Sequence, residues 1–143
     1  MADAIFTVYG EPMGKQRPRF ARQGNYTKTY TPQKTVNYEE LIRFEYYKHY
    51  NGMQFTADEP LSMVIVAYVG IPQSASKKKQ EMMRQGLIKP TKKPDWDNIA
   101  KIIGDALNKT AYPDDKQIVE AHIEKYFSLQ PRVEIAVWRC SNE

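Results

Sequence analysis

The chain has 143 residues, 41% hydrophobic and 27% charged, with a formal net charge of +4. That length supports one hydrophobic core, so we expect a single domain over residues 1–143. A membrane-spanning helix is excluded because no stretch of about eighteen apolar residues occurs. The N-terminus shows no signal-peptide pattern, so a cytoplasmic location is expected. With one Cys and two His, any metal would have to be held by carboxylates.

The N-terminal part predicts a strand, a basic loop and a helix start. Ile5–Tyr9 is a short β-rich run that stops at Gly10. Residues 10–34 are polar, basic and punctuated by Gly and Pro, which predicts a long loop or a loose hairpin. Thr31 and Pro32 then predict a helix start, with Thr31 as N-cap and Pro32 at the first helical position.

The predicted first helix runs to about Tyr50 and ends at Asn51-Gly52. Its spacing of apolar residues predicts a stripe that faces the core, formed by Val36, Leu41, Phe44 and Tyr46 or Tyr47. Core packing is the favoured role for most of the large aromatic residues, and stacking on unpaired bases is the alternative. These residues are Tyr38, Tyr46, Tyr47, Tyr50 and Trp96.

The strongest strand prediction is Ser62–Gly70, which is continuous and rich in Val and Ile. Its lack of alternation predicts a central strand covered on both faces. The remaining predictions are a helix over 77–85 capped by Ser74 or Ser76, a long helix over 97–108, and strands over 118–127 and 133–138. The fold class is therefore α/β, or more finely α+β, with helices packed on a small mixed sheet.

Positive charge is concentrated in two segments. Residues 10–34 carry six basic residues against one acidic residue, and residues 74–101 carry eight against three. A single run of basic residues is explained by a solvated surface. Two basic, loop-rich segments instead favour a phosphate-bearing partner, and nucleic acid is the favoured candidate. The residues expected to contact a DNA backbone are Lys15, Arg17, Arg19, Lys77, Lys78, Lys79 and Lys93.

One segment places acidic residues at a spacing suited to chemistry. Asp95 and Asp97 follow Pro94, and residues two apart on an extended chain point the same way. On a helical wheel that starts at Asp97, Lys101 and Asp105 lie within about 80° of it. The opposite face carries Ile99, Ile102, Ile103, Ala106 and Leu107. The helix is thus expected to present a carboxylate and an ammonium group to the same space.

Carboxylates this close repel one another unless a cation lies between them, and in the absence of His or Cys they favour Mg²⁺ or Mn²⁺. Such an ion can bind a phosphate oxygen and activate water for phosphodiester hydrolysis, while a nearby Lys stabilises the developing charge. The ordinary alternative makes Asp97 an N-cap, Asp95 a first-turn acid and Asp114-Asp115 a simple turn. A calcium loop is disfavoured because Ile99 and Ala100 stand where an oxygen ligand and Gly are needed.

At these residues the sequence resembles the RusA family of Holliday-junction-resolving endodeoxyribonucleases, found in bacteria and their prophages. The resemblance covers most of the chain in separate blocks, whose order and spacing are specific. The blocks are Gly10–Pro12, Lys15–Arg19, Tyr30–Pro32, Ser76–Lys79 and Lys92–Asn98, followed by Lys101, Asp105–Asn108, Tyr112, Asp114-Asp115 and Gln117.

The resemblance implies a dimeric, Mg²⁺-dependent nuclease that introduces paired nicks across a four-way DNA junction. It implies Asp95, Asp97 and Asp115 as catalytic metal ligands and Lys101 as the catalytic lysine. Asp105 and Asp114 are possible supporting acids, and the choice between Asp114 and Asp115 as third ligand stays open. A departure from the family pattern is Lys109, which stands where many relatives have Gly, so Asn108 is expected to adopt the left-handed cap conformation.

These inferences predict a structure-selective endonuclease that acts as a two-fold dimer, since one small domain offers one site and paired nicks need two. Under this assignment Asp95, Asp97 and Asp115 converge on one point. Two alternatives stay open. One is a DNA-binding module without chemistry, whose acids are caps and turn residues. The other is a metal-dependent nuclease for duplex, flap or RNA substrates.

Overall fold

The computed structural model describes residues 3–140, which form six strands and three helices. In chain order they are β1 (Ala4–Tyr9), β2 (Arg19–Gln23), β3 (Tyr26–Tyr30), α1 (Gln33–Tyr50), β4 (Leu61–Gly70), α2 (Lys77–Arg84), α3 (Trp96–Leu107), a 3₁₀ turn (Asp115–Gln117), β5 (Ile118–Ser128) and β6 (Arg132–Arg139). The predicted α+β class is confirmed, and the basic N-terminal segment contains a hairpin.

Four strands form the main sheet in the order β1-β6-β4-β5, and β2 pairs with β3 in a separate two-stranded sheet. β4 runs parallel to β5 and antiparallel to β6, which makes the main sheet mixed. A parallel pair requires a crossover connection. In this chain α2 and α3 form that crossover, and it delivers α3 to the sheet face where α1 also packs.

The hydrophobic core lies on one face of the main sheet. Alternate residues of β4, such as Met63 and Ile65, are buried under the helices, whereas Val64 and Val66 on the other face are only half-buried. The predicted central position of this strand is confirmed, since β4 lies between β6 and β5, but helices cover only one of its faces. Its second face is shielded by long side chains of neighbouring strands, and the Arg132 guanidinium carbon lies 3.8 Å from the Tyr68 ring centroid.

α1 begins one residue later than predicted. Pro32, not Thr31, is the N-cap, and its carbonyl oxygen accepts hydrogen bonds from the N–H groups of Thr35 (3.1 Å) and Val36 (3.2 Å). The helix ends where the sequence indicates, because Asn51 takes the left-handed conformation with φ of 47°.

The predicted core stripe of α1 is wrong at most of its positions. The buried residues are Thr35, Tyr38, Ile42 and Tyr46. Leu41, Phe44 and Tyr47 lie on the solvent side, with Phe44 60% and Tyr47 58% exposed. This helix carries apolar side chains on two opposite faces, so periodicity alone does not identify the buried one.

The turn after α3 also differs from the expectation. Lys109 has a φ of 65° and Asn108 does not adopt the left-handed region. The Asn108 side chain instead accepts a hydrogen bond from the N–H of Asp115 (3.2 Å), and the Lys109 N–H donates to the Tyr112 carbonyl (2.7 Å). In residues 3–140, none of the helices combines the length and apolar composition needed to cross a membrane.

Candidate active site

The start of α3 presents two open carboxylates. Asp95 is the N-cap residue with an extended backbone, and its side chain makes no capping hydrogen bond. Asp97 lies in the first helical turn, so the N-cap position that was expected for Asp97 is occupied by Asp95. Both side chains are exposed. The N-terminal end of the helix, where the dipole is positive, lies beside both carboxylates.

Two surface grooves meet at Asp95. The first, of about 680 Å³, lies between the N-terminal loop and the start of α3, and Arg17, Arg19 and Lys93 line it. The second, of about 560 Å³, contains Asp97. Asp95 and Lys93 line both grooves. The structure therefore places the predicted DNA contacts at 15–19 and 93 beside Asp95 and Asp97.

The N-terminal loop is fastened to α3 at Gly14. The Lys15 N–H donates to the Asn98 carbonyl at 2.8 Å. A Cβ added at Gly14 would lie 2.9 Å from the Asn98 Cβ and 3.2 Å from the Pro94 Cβ, closer than side-chain atoms normally approach. Gly14 thus permits the contact that brings the basic loop to the acids.

Lys15 differs from the other predicted DNA contacts because its ammonium group already has carboxylate partners. Its Nζ lies 2.8 Å from Glu39 Oε2 and 3.3 Å from Asp105 Oδ2. Burial alone would lower the pKa of Lys15, but the hydrogen bonds and charges of Glu39 and Asp105 outweigh burial and raise it. Lys15 ties the loop, α1 and α3 together, a role for which Glu39 gave no sequence signal.

Lys101 stands between two acids along α3. It is exposed, and among the ion pairs found within residues 3–140 it has no partner. Asp97, Lys101 and Asp105 follow one another at four-residue spacing, so their backbones extend over about 12 Å of one helix face. The ammonium group is therefore available to a ligand bound along this face.

Asp114 and Asp115 have different surroundings. Asp114 caps the 3₁₀ turn: its Oδ1 accepts the Lys116 N–H at 3.0 Å, and its own N–H donates to Gln117 Oε1 at 3.2 Å. The backbone hydrogen bond from Lys116 lowers the pKa of Asp114. The ordinary reading of this residue as a turn acid is therefore correct.

Asp115 faces α3 instead. Its Oδ2 is 3.9 Å from the position that a Cβ on Gly104 would occupy, an ordinary van der Waals distance, so the carboxylate lies against α3 at Gly104. Burial, followed by the neighbouring Asp114 and Asp105, raises the pKa of Asp115. A carboxyl group that is partly desolvated among like charges is poised to gain from a cation.

The expected convergence of the three ligand candidates is not found. Within the described part of the chain, no three Asp, Glu, His or Cys side chains form a ready-made metal site. Asp95 and Asp97 lie at the start of α3, whereas Asp115 lies near Gly104, about two helical turns further along. Their joint role as metal ligands stays a prediction.

The lysines of α2 lie apart from this centre. Lys77, Lys78 and Lys79 form the exposed first turn of α2, where the Ser76 side chain accepts the Lys79 N–H at 3.2 Å. None of the three lines either groove. Their predicted contact with DNA requires a ligand that extends well beyond the acids.

Comparison with known proteins adds a family to this geometry. Residues 9–138 match the endodeoxyribonuclease RusA family, which is almost the whole chain. The chain belongs to the RusA family. It is also 37% identical over 134 residues to a protein of Bacillus subtilis (strain 168) described as uncharacterized protein YqaN, covering 92% of this chain and 93% of the relative.

RusA membership confirms the resemblance and supports an endodeoxyribonuclease, a phosphodiester hydrolase that acts on Holliday junctions. The matched region includes both grooves and every acid discussed above. Within this RusA chain, sequence reasoning missed Glu39 and the tight approach at Gly14. The glycine was visible as a loop residue, but nothing in the sequence showed which helix it would meet.

Proposed function

We propose that this RusA-family chain is a Mg²⁺-dependent, structure-selective endodeoxyribonuclease that resolves four-way DNA junctions by paired nicks in recombination or repair. The observation that carries the proposal is the pair of open carboxylates, Asp95 and Asp97, in grooves lined by Arg17, Arg19 and Lys93. An acidic centre inside a basic surface suits a phosphodiester held by its flanking phosphates.

The donor set fits a hard divalent cation, Mg²⁺ or in its place Mn²⁺. The candidate ligands are all carboxylates, and the Asp95 side chain is not used as a helix cap. We assign the ion to Asp95, Asp97 and Asp115, with Asp105 in support, and this assignment requires the three ligand side chains to move closer together when the ion binds. Asp114 is the weaker candidate because its carboxylate already accepts the Lys116 N–H. When bound, such an ion supplies charge neutralisation and a water of lowered pKa.

The protein's own groups would orient and neutralise the substrate. Lys101, exposed between Asp97 and Asp105, is placed to stabilise negative charge on the phosphate as the bond breaks. Arg17 and Arg19 would hold the DNA backbone along the first groove. Lys15 would act indirectly, because its ion pair with Asp105 fixes that carboxylate.

We infer that the active form is a homodimer, since a junction with two-fold symmetry needs two equivalent sites. The exposed face of α1 supports this proposal because its residues are self-complementary. If a two-fold axis passed by Phe44 in an antiparallel helix pair, Leu41 would face Tyr47 of the second copy. Glu40 would likewise face Lys48 of the second copy, which adds an opposite charge beside the ion pair that Lys48 forms with Glu45 of its own chain (3.0 Å).

The direct test is Asp97→Asn protein incubated with a synthetic four-way junction and Mg²⁺. We expect the variant to bind the junction and leave it uncut. Glu120→Gln, which alters an exposed carboxylate on β5, is the matched control and should cut normally. Full cleavage by the Asp97 variant would contradict the proposal.

Two alternatives are separated by the substrate and the metal. A DNA-binding module without chemistry would bind equally well with and without Mg²⁺ and would produce no nicks. A nuclease for other substrates would cut flap, plain duplex or RNA as fast as the junction. A panel of these four substrates at equal concentration therefore distinguishes both alternatives from a junction-resolving enzyme.

A further inference from the structure

In residues 3–140, the β2–β3 hairpin is a two-stranded ribbon separate from the main sheet. Its strands pair only with each other, and nearly every residue in both is exposed. Two strands alone are only marginally stable in water, so we expect this hairpin to have a role other than stabilising the fold. Residues 17–30 contain four basic residues and no acidic residue, and they include exposed Phe20 (73%) and Tyr26 (71%).

The pairing register divides the hairpin into two dissimilar faces. Directly opposite residues of an antiparallel pair point the same way. The first face carries mostly long side chains, in the pairs Arg19–Tyr30, Ala21–Lys28 and Gln23–Tyr26. The second face carries Phe20 opposite Thr29 and Arg22 opposite Thr27. Because the Thr side chains of β3 are short, Phe20 and Arg22 of β2 are the side chains that project furthest from the second face.

We propose that this hairpin lies in the major groove of one double-stranded arm of the substrate. The inference rests on the proposed function, which makes DNA the ligand. The groove is about 12 Å wide and admits a two-stranded ribbon. A strand of this length extends about 17 Å, which corresponds to about five base pairs.

The two faces then have distinct roles. Phe20, Arg22, Thr27 and Thr29 would face the base edges, where apolar groups contact thymine methyls and an arginine reads guanine. Arg19 and Lys28 are long enough to reach phosphates on the groove rims.

The hairpin begins at the active site. Arg17 and Arg19 line the first groove together with Asp95. The arm it occupies is therefore the one next to the phosphate that is cut. Contacts on this arm would fix which phosphate reaches Asp95 and Asp97, so the hairpin is a specificity element and not part of the chemistry.

The test measures binding without metal, so it does not depend on cleavage. Junction affinity is measured at several salt concentrations for wild type, Arg19→Gln, Lys28→Gln and Arg84→Gln. Each hairpin variant should lower the slope of log affinity against log salt by about 0.9, because one phosphate contact is lost. Arg84 is already paired with Glu81, so its variant should keep the wild-type slope.

The base-facing side is tested by Phe20→Ala, with Leu129→Ala as an exposed apolar control in the β5–β6 turn. We expect Phe20→Ala to weaken binding about fourfold at an unchanged salt slope. Replacing every thymine of the adjacent arm by deoxyuridine should weaken wild-type binding similarly. It should have no further effect on the Phe20 variant, because the contact is already lost.

Three results would overturn this proposal. An unchanged salt slope for Lys28→Gln, whatever the result for Arg19→Gln in the first groove, would show that the projecting part of the hairpin does not touch phosphates. Equal sensitivity of wild type and Phe20→Ala to deoxyuridine would remove the groove contact. Weaker binding of Phe20→Ala to single strands but not to duplex arms would indicate base stacking instead. Each leaves the proposed nuclease intact, whereas wild-type protein that neither binds nor cuts junctions contradicts the proposed function itself.

Discussion

α1 and α3 pack side by side on the same face of the main sheet, yet they use their surfaces differently. α3 buries one apolar face, including Ile99, Ile102 and Ile103, and turns its acids and Lys101 outward. α1 buries Tyr38, Ile42 and Tyr46 but also exposes Phe44 and its apolar neighbours. α3 therefore exposes a polar face, whereas α1 exposes an apolar face.

The difference shows what each helix offers a partner. The polar face of α3 carries charge close to two grooves, which suits a phosphodiester and a cation. The second apolar face of α1 exposes hydrophobic surface and lines neither groove, which suits another protein surface. Chemistry is therefore expected to depend on α3 and self-association on α1, and each of the following experiments tests that division.

The largest expected effect is on cleavage by α3. Lys101→Met should lower the junction cleavage rate about 100-fold or more, because a charge-stabilising donor is lost. Lys34→Met removes an exposed ammonium group from α1 and should change the rate little. Single-turnover rates at saturating Mg²⁺ measure both variants. A Lys101 variant within twofold of wild type would remove this residue from the mechanism.

The next largest difference between the helices is expected in the unfolding free energy, because their substituted residues differ in burial. Ile103→Ala on α3 should cost about 2–5 kcal/mol of unfolding free energy, since Ile103 is fully buried and its truncation leaves a cavity. Phe44→Ala on α1 should change the unfolding free energy of the monomer by less than about 0.5 kcal/mol. Urea denaturation at low protein concentration gives both values. Equal costs would mean that Phe44 is packed within the monomer.

For self-association, the larger effect is expected from a change on α1. Glu40→Lys should weaken the dimer about tenfold, because it places like charges opposite each other across the two-fold axis. Glu40→Lys combined with Lys48→Glu should restore the dimer, since the charges are exchanged. Sedimentation velocity measures the equilibrium. If the double variant is no tighter than the single one, the antiparallel α1 pairing is incorrect.

The smallest expected effect is on how the stability of the protein depends on pH, through the Asp115 carboxyl group beside α3. The raised pKa of Asp115 means that the folded chain binds more protons than the unfolded chain just above the ordinary pKa of 3.8. This group therefore lowers stability as pH rises through that window. Asp115→Asn should raise Tm by a few degrees at pH 7 without metal and by less at pH 3.5.

Metal addition provides the control for that variant. Mg²⁺ should raise the Tm of the wild type, because binding to the folded state stabilises it, and should raise the Tm of Asp115→Asn less. An equal increase for both proteins would show that Asp115 is not a ligand.

Much of the site was visible in the sequence because it depends on local spacing. The face shared by Asp97, Lys101 and Asp105 follows from the helical repeat alone, and the apolar residues opposite them are buried as predicted. The status of Asp114 and Asp115 could not be read in this way. Their neighbours come from α3 and from the turn itself, so the distinction required the packed structure.

The amino-acid sequence was enough to predict the α+β class, most of the strand and helix order and the family, because propensity, turn residues and motif spacing are local properties. It also located the basic segments, although not the ribbon that one of them forms. The packed structure was needed to show which face of α1 is buried, how Gly14 permits the contact between the loop and α3, and why Lys15 is paired with carboxylates. These features depend on contacts between residues far apart in the chain, where periodicity and propensity carry no information.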